Sequence, residues 1–116
     1  MPVSLEATFA ALAEPTRNAV IGLLSRGPRR AGDLAEELAQ SPAAMSRHLR
    51  VLRRTGLIAT ESVDEDARIR MYRLQREPFD QMRRWLVEVE AFWGVQLDAF
   101  RQHVERRKIE RRKKKR

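Results

Sequence analysis

The stretch from Ser41 to Gly56, S-P-A-A-M-S-R-H-L-R-V-L-R-R-T-G, carries its own start and stop. Ser41 suits an N-cap, Pro42 suits the first helical position, where a missing N–H costs nothing, and Gly56 supplies a left-handed terminus. These signals predict a helix over 42–55 of about four turns. Met45, Leu49 and Leu52 fall at i, i+4 and i+7 and share one face, while Ala43, Arg47, Arg50 and Arg54 project from the other. One side is built for burial and the other to meet an anion.

The charge distribution agrees with that division. The formal net charge of +8 over 116 residues is accounted for by residues 106–116, where nine Lys and Arg stand against Glu110. Within the neutral remainder, residues 41–76 come to +4, and the segments before and after them come to −1 and −3. So uneven a field points to a binding face on the middle segment. The absence of cysteine excludes disulfides, thiolate metal sites and cysteine nucleophiles. No nucleophile with a spaced base, no Gly-rich phosphate loop and no metal constellation occurs, so neither an enzyme nor a cofactor is expected. The N-terminus lacks the basic start and apolar core of a signal peptide, and no apolar run approaches the ~20 residues that span a bilayer. The expectation is a cytoplasmic chain with no membrane partner and a single modest core.

Upstream of Ser41 the pattern is helical. Leu5, Phe9 and Leu12 are spaced for one face of a helix that Ser4 caps, and Pro15 opens a second helix through Leu24 with Val20, Ile21 and Leu24 inward. A third, from about Ala31 to Ala39, aligns Ala31, Leu34, Ala35 and Leu38. Only a few residues around Gln40 separate it from the Ser41 helix, which predicts a helix-turn-helix with its second helix in the DNA major groove.

After Gly56 the period changes. Leu57–Val63 and Arg68–Leu74 read as the strands of a hairpin turning through Asp64-Glu65-Asp66-Ala67, with Ile69 and Met71 inward and Arg68, Arg70 and Tyr72 outward. A helix-turn-helix followed by a hairpin, here a wing over 57–74, makes a winged helix. From Phe79 to about Arg107 a long helix carries an apolar stripe of Phe79, Met82, Leu86, Val89, Trp93, Leu97, Phe100 and Val104, widened by Trp85 and Phe92. So small a domain cannot cover it, and each large side chain left in water forfeits roughly 1.5–3 kcal/mol. A homodimer is therefore expected, joined through Leu5, Phe9, Met82, Trp85, Leu86, Val89, Phe92, Trp93 and Leu97. The architecture is mainly α with a small β-hairpin: one domain over 1–107, including the terminal dimerisation helices, and a disordered basic tail over 108–116. That tail adds sequence-independent DNA affinity through counterion release.

F-A-A-L-A-E-P-T-R at Phe9–Arg17, D-L-A-E-E-L at Asp33–Leu38, M-S-R-H-L-R-V-L-R-R-T-G-L-I at Met45–Ile58 and R-I-R-M-Y-R-L at Arg68–Leu74 resemble the ArsR-type winged-helix repressors of bacteria. The resemblance covers roughly residues 5–76. It implies a homodimer, joined through terminal helices, that binds a pseudo-palindromic double-stranded operator and blocks transcription, with its own operon as a candidate target. Metal-sensing relatives carry a Cys-x-Cys pair where this chain has Arg30 and Gly32, and His103 is followed at i+3 by Arg106 rather than a ligand. The likeness is to the metal-independent branch, with no metal site. Pro42, Ala43 and Ala44 stand where relatives often place a glutamine and small polar residues. The residues expected at DNA are Ser41, Ala43, Ala44, Ser46, Arg47, His48, Arg50, Arg54, Arg68 and Arg70. Arg47 is the candidate for guanine O6 and N7, the alanines meet thymine methyls, and Arg68 and Arg70 approach the backbone or minor groove while the acidic tip points away. His48 lies near the buried side and has two readings, a base reader or a packed or phosphate-facing histidine. The alternative function is an RNA-binding or protein-docking module anchored by the basic tail.

Overall fold

The computed structural model describes residues 4–62 and 68–114. The chain divides after Met82 into two units, Met1–Met82 and Arg83–Arg116.

In the first unit, α1 (Leu5–Ala13) starts at Ser4, whose Oγ accepts the Ala7 N–H at 3.1 Å. Its buried residues are Thr8 and Ala11, not the expected leucine and phenylalanine stripe. Leu5 and Leu12 pack at the margin of the core, and Phe9 is 36% exposed. Small side chains let α1 close on α2 (Pro15–Leu24), and Thr8 is buried at little cost because its hydroxyl donates to the Ser4 carbonyl. The corner between the helices is tied by Arg17, whose Nε donates to the Ala11 carbonyl at 2.8 Å, and by Asn18, whose Nδ2 donates to that of Leu12 at 3.1 Å. Carbonyls left over at the end of α1 are thus satisfied by side chains of α2.

Next come α3 (Ala31–Glu37) and α4 (Pro42–Arg54). The first ends two residues before the expected Ala39, because Ala39 turns left-handed at φ 53°. The Gln40 N–H then donates to the Ala35 carbonyl at 2.8 Å and the Ala39 N–H to that of Glu36 at 3.2 Å. The end of α4 repeats this closure with Gly56 at φ 77°, Leu57 N–H on Leu52 and Gly56 N–H on Arg53. Both helices close by the same pair of bonds, one through glycine and one through alanine.

The hairpin pairs β1 (Ile58–Ser62) with β2 (Arg70–Leu74), Ile58 facing Leu74 and Ser62 facing Arg70. Residues 63–67, with the acidic tip, lie outside the described residues. Arg29 forms a bridge with Tyr72, exchanging N–H···O bonds of 3.1 and 2.8 Å. The inward face of β2 carries Tyr72 and Leu74, which pack on the core, so the expected order with Ile69 and Met71 inward is reversed. Alternation defines two faces but does not choose between them, and here Leu74 lies opposite the buried Ile58.

The core gathers Val20 and Leu24 of α2, Leu34 of α3, Met45, Leu49 and Leu52 of α4, and Leu57 and Ile58, closed by Met82. Met82 sits at the second turn of α5 (Arg76–Lys114) and belongs to the core of its own unit rather than to an outer interface. The unit is a winged helix-turn-helix.

The second unit is the remainder of α5. It is helical through Lys114, beyond the expected end near Arg107, since Lys and Arg are good helix formers and their charge complements the C-terminal dipole. Among the described residues no helix is long and apolar enough to cross a membrane.

Candidate nucleic-acid interface

The organisation of α4 follows from its sequence. Ser41 Oγ accepts the Ala44 N–H at 3.1 Å, Pro42 occupies the first turn, and Met45, Leu49 and Leu52 are all buried. With α2, α3 and β1 packed against that face, the helix cannot roll about its axis. Ala43, Ser46, Arg47, Arg50 and Arg54 are consequently exposed, as are Ser41 and Arg53, whereas Ala44 is half-buried.

His48 occupies the boundary between the two faces. Its side chain is 20% exposed, and Nδ1 lies 3.6 Å from Oε2 of Glu14. The same carboxylate oxygen accepts the Arg17 N–H at 2.8 Å and so caps α2. That hydrogen bond, the Thr16 N–H and the charges of His48 and Arg17 hold the Glu14 carboxyl below its ordinary range, against the opposing effect of partial burial. Helical periodicity assigns Glu14 no role, because it falls between two apolar stripes. A carboxylate directly before proline at the first helical position was the signal for a cap.

The arginines sort by what they meet. Arg17 serves the end of α1, Arg29 pairs with Glu37 at 3.1 Å, and Arg73 pairs across the hairpin with Glu61 at 3.4 Å. Among the described residues, Arg47, Arg50, Arg54 and Arg70 have no carboxylate within ion-pair distance. Arg68 and Arg70 are exposed at the root of the wing. Guanidinium groups held outward on a fixed helix can form paired hydrogen bonds to a guanine edge or single ones to phosphate.

Along α5, Phe92 and Trp93 are 63% and 57% exposed, and Trp85, Leu86, Leu97 and Phe100 are also exposed. Val89 and Val104 are half-buried. Phe79, Leu86, Trp93 and Phe100 recur every seven residues, and Leu86 and Leu97, Val89 and Phe100, and Trp93 and Val104 are separated by eleven, so the stripe follows one helix face without a single fixed repeat. His103 is exposed, and among the described residues no three His, Asp or Glu side chains are placed to share a metal ion. The basic residues Arg106–Lys114 are exposed on the last turns.

A family model described as "Bacterial regulatory protein, arsR family" matches residues 14–60. The chain is 29% identical over 102 residues to the HTH-type transcriptional regulator Rv2034 of Mycobacterium tuberculosis, spanning 88% of this chain and 90% of that one. It is 37% identical over 51 residues to the transcriptional repressor SdpR of Bacillus subtilis, spanning 44% and 57% of the two chains. Among solved structures, an ArsR-like transcriptional regulator from Rhodococcus sp. RHA1 superposes with a TM-score of 0.75 at 32% identity, covering 87% of this chain and 90% of the other.

Proposed function

Because this chain belongs to the ArsR family of bacterial transcriptional regulators, we propose that it is a cytoplasmic, homodimeric repressor of a pseudo-palindromic double-stranded operator. In this reading α4 enters the major groove, and the wing over 57–74 lies along the flanking backbone or minor groove. The observation that carries it is the outward face of α4, where Ser46, Arg47 and Arg50 are exposed while Met45, Leu49 and Leu52 anchor the opposite side. Arg47 reads a base, Arg50, Arg54 and Arg70 hold phosphates, and His48, turned toward Glu14, positions the helix rather than reading sequence.

The second copy is joined through α5, whose exposed apolar face costs free energy until covered. Trp85, Leu86, Val89, Phe92, Trp93 and Leu97 form this contact, and Met82 is left to its own core. SdpR, named a repressor, supports the direction of the output.

Capture of genomic fragments by the purified protein, including the DNA upstream of its own gene, tests the function. A two-fold site is expected, its half-sites about one helical turn or a multiple apart. Arg47→Ala should weaken binding to that site by ~1–3 kcal/mol and relax preference at one base pair. Capture of RNA in place of duplex DNA would overturn the assignment.

A further inference from the structure

A cleft opens between α3, α4 and β2. Its inner part, about 100 Å³, is walled by Ala35, Met45, Leu49 and Tyr72. An adjoining cavity of about 320 Å³ shares Ala31, Gly32 and Tyr72 with it and is lined by Arg30, Arg68 and Arg70. Arg30 precedes α3 and Arg70 opens β2, and among the described residues neither has a carboxylate within ion-pair distance. The guanidinium groups of Arg30 and Arg70 line one cavity and repel each other, and an anion placed between them relieves that repulsion. A phosphate of the DNA backbone would satisfy the arginines and leave the apolar inner part empty.

We propose that this cleft binds a small amphipathic carboxylate, with a flat apolar body between Met45, Leu49 and Tyr72 and its carboxylate at Arg30 and Arg70. Tyr72 suits this place because both of its backbone groups are bonded to Arg29, which holds that residue of β2 where it lines both cavities. The effect on DNA rests on the function proposed above. Arg70 serves the ligand and the DNA backbone in turn, and Met45 and Leu49 are the anchors of α4, so occupancy of the cleft opposes DNA binding. By linkage DNA weakens the ligand by the same factor.

Titration calorimetry of the full chain with 3-phenylpropanoate tests the site, with 3-phenylpropanol and acetate as the controls that lack one half of the chemistry. The acid is expected to bind at least tenfold more tightly than either control and to weaken affinity for the captured duplex several-fold. Gly32→Leu should abolish the binding of the acid. A Cβ at Gly32 meets nothing within 4 Å, and leucine favours a helix more than glycine, so the variant folds. Arg30→Gln should lower affinity for the acid at least tenfold without altering DNA binding in its absence. Equal binding of the alcohol, no binding of the acid, or unchanged binding in both variants would overturn the site. Binding of the acid that leaves DNA affinity unaltered would overturn the antagonism. Failure of the chain to capture any duplex would overturn the function proposed above, while the calorimetry still decides the cleft.

Discussion

The Nδ1 atom of His48, on the helix proposed to read DNA, lies 3.6 Å from the Oε2 atom of Glu14, the residue that caps α2. One carboxylate oxygen therefore closes a helix and anchors a neighbouring one. When the imidazole is protonated the contact is an ion pair, and α4 is held to α2 by charge as well as by packing.

Acid below pH 4.5 should loosen this anchor. The Glu14 carboxyl titrates below its ordinary value of 4.5, chiefly through its hydrogen bond from the Arg17 N–H, so the charged form is favoured in the folded chain. Its contribution to stability is complete above pH 4.5 and is lost as the pH falls through the lowered folded value. Glu14→Gln keeps an acceptor for the cap and removes the charge. Urea midpoints measured from pH 7 to pH 3 should therefore fall less steeply for the variant than for the parent, and parallel curves would refute the linkage.

The two helix ends that close by the same pair of hydrogen bonds should respond oppositely to a change of residue. Ala39 holds φ 53°, where a Cβ costs roughly 1–2 kcal/mol, so Ala39→Gly should stabilise the fold by about 1 kcal/mol after the entropy of glycine is counted. Gly56→Ala should destabilise it by ~1 kcal/mol or more. A Cβ on Gly56 would stand 3.6 Å from Pro78 Cγ, an ordinary contact, so the cost is one of backbone conformation rather than of space. Thermal melts should move up for the first variant and down for the second, by about 4–8 °C per kcal/mol for a domain of this size.

Trp93→Glu places a charge in the middle of the exposed apolar face of α5. If that face joins two copies, sedimentation velocity should show a dimer for the parent and a monomer for the variant at micromolar concentration. The melting temperature of the parent should rise with concentration and that of the variant should not. A variant that still sediments as a dimer would exclude this face from the interface.

Removal of residues 108–116 should make the fall of DNA affinity with salt shallower while leaving the ratio of specific to non-specific binding in place. The described part of this segment is helical and exposed, so its cations are held along a helix instead of spread over a coil. An unchanged salt slope would show that the segment does not meet phosphate.

Legibility in the sequence followed the range of the interactions. The cap at Ser41, the stripe of Met45, Leu49 and Leu52 and the stop at Gly56 all act within a few residues, and α4 was readable in full. Hairpin pairing was readable as well, but not the face that turns inward, since Arg70, Tyr72 and Leu74 alternate with Met71 and Arg73 equally well in either sense. Phe9 outranked Thr8 on hydrophobicity, yet close approach of α1 and α2 favoured the smaller residue with a local partner for its hydroxyl. Met82 belonged to an unbroken stripe and nothing in that stripe marked where the core ends.

By itself the sequence determined where α4 begins and ends, which side of it faces outward and that arginine dominates that side, because capping and helical periodicity are local. Tertiary structure decided that His48 turns to Glu14, that Ala39 adopts a left-handed conformation, that Tyr72 faces inward against Arg29 and that Arg30 comes to the same cavity as Arg70. Each of these joins residues from separate elements or yields to the packing of one element on another, and chain order carries no direct record of distances across a core.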